Sequence, residues 1–312
     1  MRTVVTGAGG FVGSQLAEQL VGSGHEVVGV DSFTPYYDRD TKVANLADLR
    51  EHPSFELVEA DLTDMALTEV VDRADAVFHL AAQPGVRLSW DQFDVYARHN
   101  LVATQRVLEA CRQAEVGRLV VASSSSVYGN AATYPVTEDA PCRPYSPYGV
   151  TKLAGEHLCE LYAANWGLST VALRYFTVYG PRQRPDMSIY RLIESAMTGE
   201  PFPMYGAGSF VREFTYVADI ADATVRAATA DLEAGAVLNV AGGEPIVMHE
   251  LVSLVSEIVG ADIALDEQPA RPGDAHRNGG STERARRLLG WSPSTTLREG
   301  IAHQAHWHRS RR

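Results

Sequence analysis

The chain opens with a short, mostly apolar and β-branched run, Arg2-Thr3-Val4-Val5-Thr6, followed by Gly7-Ala8-Gly9-Gly10-Phe11-Val12-Gly13 and a helix-compatible stretch over 14–20. Short apolar runs bounded by turn residues suit strands buried on both faces of a sheet. Further runs of this kind occupy 26–30, 55–59, 76–80, 118–122 and 170–174, and helical patterning fills 91–114 and 147–166 between them. Strands alternating with helices predict a parallel sheet covered on both sides. The expected fold is therefore α/β, a Rossmann-type doubly wound parallel sheet. Regularity drops after Tyr175, and from 182 onward short helices, glycines and prolines replace the alternation, while 215–230 and 237–240 read as a return to the sheet. Two interleaved domains are expected: a larger one over 1–175, with returns near 211–240, and a smaller C-terminal one over 176–312 that closes over a substrate.

The spacing G-x-x-G-x-x-G lies between a strand and a helix, and that context gives each glycine a task. Gly7 makes the tight turn, Gly10 lets the backbone approach a pyrophosphate, and Gly13 lets the helix pack closely on the strand. The second strand ends in Asp31, 18 positions beyond Gly13. A dinucleotide fold places there the carboxylate that binds a ribose 2′-hydroxyl, whereas a 2′-phosphate would call for an arginine. Ser32, Phe33 and Thr34 supply no positive charge, so the pattern favours NAD over NADP.

Tyr148 and Lys152 stand four residues apart, in Ser146-Pro147-Tyr148-Gly149-Val150-Thr151-Lys152, and a helix starting at the proline presents both on one face. A cation beside the phenol favours phenolate and makes tyrosine a usable base. Upstream, Ser123-Ser124-Ser125-Ser126 follows a buried strand at its C-terminal end, where a hydroxyl can bind a substrate oxygen and pass its proton to tyrosine. With no G-x-S-x-G elbow, a serine nucleophile is not expected. His79 reads as a strand-end packing residue. His303, His306 and His308 have neither metal spacing nor an acidic companion, so no metal site is expected.

A net charge of −12 argues against nucleic acid, which rests on clustered Lys and Arg. Cys111, Cys142 and Cys159 lie far apart and suggest reduced thiols rather than a disulfide framework. The chain opens directly into a strand, with no basic leader and no run of 18 apolar residues. A cytoplasmic protein without membrane association is expected.

Taken together, Thr6 to Gly13, Asp61-Leu62, His79-Leu80-Ala81-Ala82-Gln83, Ser123 to Gly129, Tyr148-x-x-x-Lys152 and Arg174-Tyr175-Phe176-Thr177-Val178-Tyr179-Gly180-Pro181 resemble the motifs of extended short-chain dehydrogenases acting on nucleotide sugars. The resemblance continues in Arg212-Glu213-Phe214-Thr215-Tyr216-Val217-x-Asp219 and in Arg271-Pro272-Gly273-Asp274, and so covers nearly the whole chain. It implies that Gly7, Gly10, Phe11, Val12, Gly13, Asp31, Asp61, Leu62, Leu80, Ala81, Ala82, Asn100, Tyr148, Lys152 and Tyr175 bind NAD. It also implies that Arg212 and Arg271, with Tyr205 and Asp274 nearby, hold a UDP-sugar, two guanidinium groups sufficing for a diphosphate in an acidic protein.

The implied reaction begins with Tyr148 taking the proton of the sugar 4-hydroxyl, relayed by Ser124 or Ser125, while C4 gives its hydride to NAD. The 4-ketose and NADH then recombine on the other face, a 4-epimerase cycle. Resembling 4,6-dehydratases carry Asp-Glu where this chain has Ser125 and Ser126, and resembling decarboxylases carry Glu at the position of Ser126. Epimerisation is the fate that remains. Pro35-Tyr36-Tyr37-Asp38, Gln83-Pro84-Gly85-Val86-Arg87 and Arg184-Pro185-Asp186-Met187 resemble the UDP-glucuronate branch, and Thr177 stands where UDP-glucose enzymes have asparagine. Arg87, Ser125, Ser126, Thr177 and Arg184 are then candidates for the C5 carboxylate. Pro84 departs from the usual alanine and leaves the sugar contacts open. Alternatives are a UDP-glucose or UDP-N-acetylglucosamine 4-epimerase, a UDP-glucuronate decarboxylase, and a non-catalytic NAD-binding sensor. A homodimer through the helices that start near Asp91 and Pro147 is also implied.

Overall fold

The computed structural model describes residues 1–269 and 275–311. Seven strands form one all-parallel sheet: β1 (Arg2–Thr6), β2 (Glu26–Asp31), β3 (Phe55–Glu59), β4 (Ala76–His79), β5 (Arg118–Ser124), β6 (Thr170–Tyr175) and β7 (Ala236–Val240). Their order is β3-β2-β1-β4-β5-β6-β7, so the winding reverses between β1 and β4. This is the expected doubly wound parallel sheet, and its reversal opens a crevice at the strand C-terminal ends. β7 arrives only after an excursion of more than fifty residues and pairs with β6, Val240 opposite Tyr175.

Both faces of the sheet are covered. On one face α1 (Phe11–Gly22) buries Leu16, Ala17 and Leu20 against Ile220, Ala223 and Ala227 of a later helix (Val217–Thr229). On the other, α2 (Ala103–Gln113) and α3 (Pro147–Trp166) pack Val107, Leu108, Cys111 and Cys159 over Val77, Leu119 and Val121. Each aliphatic side chain taken fully out of water contributes about 1.5–3 kcal/mol. A third apolar core joins Ile189, Leu192 and Ile193 to Leu251, Val255 and Ile301, beyond the sheet's C-terminal edge.

The stretch expected as one helix over 91–114 is instead broken. A short helix (Phe93–Tyr96) passes through a π turn (Ala97–Val102) into α2. The extra residue in the turn is spent on Asn100, whose buried amide is satisfied by neighbours rather than by the helix. Its Oδ1 accepts from the Gln83 N–H (2.7 Å), and its Nδ2 donates to the Gln83 carbonyl (3.1 Å) and to Thr151 (3.0 Å), tying the loop after β4 to α3.

His79 is a packing residue, as expected. Its ring lies between Thr6 Oγ1 (2.8 Å) and Thr104 Oγ1 (3.0 Å). The three cysteines are free thiols, and no helix among the described residues is long and apolar enough to cross a membrane.

Candidate active site

A cavity of about 810 Å³ lies along the strand C-terminal ends, lined from Gly7 and Asp31 on one side to Tyr205 and Arg212 on the other. At its first side the chain turns on Gly7, whose φ of +74° suits glycine and whose missing Cβ would meet Ala81 N at 2.7 Å. Gly13 is equally constrained: a Cβ there would sit 2.0 Å from the Gly7 carbonyl oxygen. Gly10 caps α1 without a side chain, so the helix N-terminus is presented bare to the cavity. Orphan N–H groups and the positive end of a helix dipole suit a pyrophosphate, and the crowded turn is a cradle that any Cβ would fill.

Asp31 Oδ2 accepts from the Gly9 N–H (2.9 Å) and Oδ1 from the Phe33 N–H (2.7 Å), which leaves lone pairs for a ribose. Burial raises its pKa, against the pull of those N–H groups and of Lys42. That lysine escaped the sequence reading. It lies eleven positions beyond Asp31, on a short helix (Arg39–Ala44) that brings it, buried, into the cavity wall beside the carboxylate. Its Nζ donates to the Thr34 carbonyl (2.6 Å) and stands 4.6 Å from the Tyr37 ring centre. The one signal in the chain is the Asp38 cap, which starts the helix by accepting from Thr41 N–H. Asp61, Leu62, Leu80, Ala81, Ala82 and Tyr175 also line this part of the cavity. Asn100 is absent from the lining, because its amide is engaged behind Gln83.

Ser146 caps α3 by accepting from the Gly149 N–H (3.1 Å), and Pro147 opens the first turn. Tyr148 and Lys152 therefore face the cavity together. Tyr148 lies near Ser124, whose hydroxyl accepts from the Ser126 N–H (3.1 Å), and its ring meets Tyr96 edge-on. Burial raises the phenol's pKa, and Ser124 and the Arg184 guanidinium pull it down. Arg184 is thus a cation bearing on Tyr148 that the Tyr-x-x-x-Lys spacing did not reveal. The lysine ammonium donates to the Ala122 carbonyl (2.9 Å), and burial pulls its pKa down to about 8 while Glu156 opposes the fall.

Arg184 is itself held by Asp186, with Nε and Nη2 each 3.0 Å from a carboxylate oxygen, and Tyr36 donates to the same carboxylate (3.2 Å). Ser125, Ser126 and Thr177 complete this region. At the far end Arg87 stacks over the Tyr205 ring at 4.3 Å, and Arg212 over Phe210 at 5.1 Å. Arg271 and Asp274 lie outside the described residues. Pro84, the departure noted above, is pinned by its carbonyl, which accepts from Tyr96 OH at 2.6 Å. Among the described residues no cluster of three or more His, Cys, Asp or Glu could hold a metal.

Residues 3–241 match the family described as NAD dependent epimerase/dehydratase. An uncharacterized UDP-glucose epimerase, YtcB, of Bacillus subtilis is 39% identical over 97% of this chain and 96% of its own. A probable UDP-glucuronate 4-epimerase of Rhizobium meliloti is 34% identical over 99% and 97%. The crystal structure of UDP-glucuronic acid 4-epimerase from Bacillus cereus, in complex with UDP-glucuronic acid and NAD, superposes over 100% of both chains with a TM-score of 0.97 at 37% identity. The chain belongs to the NAD dependent epimerase/dehydratase family.

Proposed function

We propose that the protein is an NAD-dependent UDP-sugar 4-epimerase, and that its sugar is glucuronate, interconverted with galacturonate. The observation that carries the reading is Tyr148, brought into one cavity with Ser124, Lys152 and Arg184, with serines rather than carboxylates at 125 and 126. The similarity to the Bacillus cereus enzyme supports the same substrate.

The glycine turn, the bare N-terminus of α1, Asp31 and Lys42 would hold NAD, which supplies the acceptor and donor of the C4 hydride. Tyr148 takes the 4-hydroxyl proton and returns it, and Ser124 orients that oxygen. Lys152, one turn further along the same helix face, would add a second positive charge that favours phenolate. Arg184, Thr177, Ser125, Ser126 and Arg87 would surround the C5 carboxylate, holding it so that the β-keto acid keeps its CO2. Tyr205, Arg212, Arg271 and Asp274 would take the uridine diphosphate.

Residues 1–175, with the return to β7, then form the cofactor domain, and most of 176–312 the substrate domain. Trp90, Phe93 and Val102, with Val150 and Leu161 on α3, expose apolar surface and support a homodimer through these segments. Three free thiols fit a cytoplasmic place.

The test is incubation with UDP-glucuronate, UDP-glucose and UDP-N-acetylglucosamine, reading epimer and CO2 separately. Only the uronate should turn over, without CO2. Equal turnover of UDP-glucose would defeat the substrate assignment, and bound NAD with no turnover of any sugar would defeat the enzyme.

A further inference from the structure

We infer that Asn278 is a specificity-determining positioning residue: it fixes the Thr177 hydroxyl as a hydrogen-bond donor into the cavity, and so favours a carboxylate on the sugar over a hydroxymethyl group. The inference rests on the uronate reading above. The Glu213 backbone N–H points at the Asn278 side chain at 2.7 Å. A backbone N–H can only donate, so the oxygen of the amide must lie there and its NH2 must lie at the other end. That NH2 donates to Thr177 Oγ1 at 3.0 Å. A hydroxyl that accepts this bond still has one proton to place. Thr177 and Asn278 both line the cavity, and among the described residues the hydroxyl donates to no protein acceptor.

A carboxylate accepts only, and a fixed donor gives it a charge-assisted bond about twice as strong as a neutral one. A hydroxymethyl group brings its own donor and gains no such bond. The placement is rigid because Asn278 is tied to the strand (Val211–Glu213) that carries Arg212. Its N–H donates to the Val211 carbonyl at 3.1 Å, and the buried Glu213 carboxylate accepts from the Gly280 N–H at 2.6 Å and from the Gly243 N–H. The diphosphate arm and the sugar pocket therefore share one hydrogen-bonded framework.

The experiment titrates NAD-loaded protein with UDP-glucuronate and UDP-glucose, in a Tyr148→Phe background so that the sugar stays as added. Asn278→Ala should lower the uronate preference, the ratio of the two Kd values, by about tenfold. Asn278→Asp keeps the size and the acceptor for Glu213 N–H. It turns the Thr177 proton toward the new carboxylate and away from the ligand, and should lower the preference by about a hundredfold. With Thr177→Val already present, Asn278→Ala should change the ratio by less than about twofold, since the residue acts through Thr177. Undiminished preference in both single variants, or an equal effect in the Thr177→Val background, overturns the inference and leaves the epimerase standing. Equal binding of the two sugars before any change at 278 overturns the uronate reading itself.

Discussion

On the side of the cavity beneath β1 and β2, much of what a ligand meets is backbone: a turn on Gly7, the uncapped start of α1, and N–H groups that also hold Asp31. Beyond β6 the wall is made of side chains from distant stretches, Arg87 stacked on Tyr205, Arg184 held by Asp186 and Tyr36, and Thr177 held by Asn278. A backbone cradle is specified by which residues lack a Cβ. A side-chain wall is specified by which loops meet. The first binds a group shared by many dinucleotides, and the second can be retuned one residue at a time, so specificity for the sugar belongs to the second.

The sharpest test of the join between the two sides is Tyr148→Phe. It removes the proton-carrying oxygen and leaves both walls in place, so turnover should fall by about a thousandfold while NAD remains bound. Spectra of the purified protein, alongside its rate with UDP-glucuronate, read both; retained activity would reject Tyr148 as the base. Next in size is Gly13→Ala, which attacks the backbone side alone. Its Cβ would stand 2.0 Å from the Gly7 carbonyl oxygen. We expect a loss of about 3 kcal/mol in stability and loss of bound NAD, from thermal melts and the cofactor released on denaturation. A variant that keeps both would show that the turn yields more readily than its geometry allows.

Arg184→Met attacks the other side. Asp186 is exposed enough to tolerate losing its partner, its side chain being 42% accessible, so the fold should survive. Since the guanidinium bears on Tyr148 and faces the sugar region, kcat/KM with UDP-glucuronate should fall by about a hundredfold with NAD retained. A fall below about threefold would place the carboxylate elsewhere.

The same contrast governs how much could be read from the chain. The strands, their alternation with helices and the glycine turn are local patterns, and the structure follows them closely, with β6 ending at Tyr175 and β7 returning to the sheet. The helix over 91–114 was misread because a π turn leaves apolar periodicity nearly intact. What distinguishes it is the use of Asn100, a tertiary matter. Lys42 was missed because it approaches Asp31 through a separate short helix. The Tyr148–Lys152 spacing was legible, but the partners were not: Lys152 binds the Ala122 carbonyl, and the charge of Arg184, 36 positions away in sequence, also bears on the phenol.

The smallest effect concerns what lies beneath the backbone side. Thr104 Oγ1 donates to the Asn100 carbonyl at 2.6 Å, so it can only accept from His79 Nε2, and the ring then accepts from Thr6 at Nδ1. The imidazole is neutral with both nitrogens used, and burial, aided by the charge of Lys152, pushes its pKa from 6.5 down to about 3. Unfolded chains bind a proton there below pH 6.5 and the native protein does not. The stability that the neutral ring contributes is therefore complete above pH 6.5 and is lost as pH falls toward 3, at up to about 1.4 kcal/mol per pH unit. His79→Asn should cost about 1–2 kcal/mol at pH 7 for the hydrogen bonds it cannot remake, yet should flatten the pH dependence below 6.5. Urea unfolding at pH 7, 6 and 5 on both proteins gives the two slopes; parallel slopes would mean that His79 titrates alike in both states and that the threonine pair does not hold it neutral.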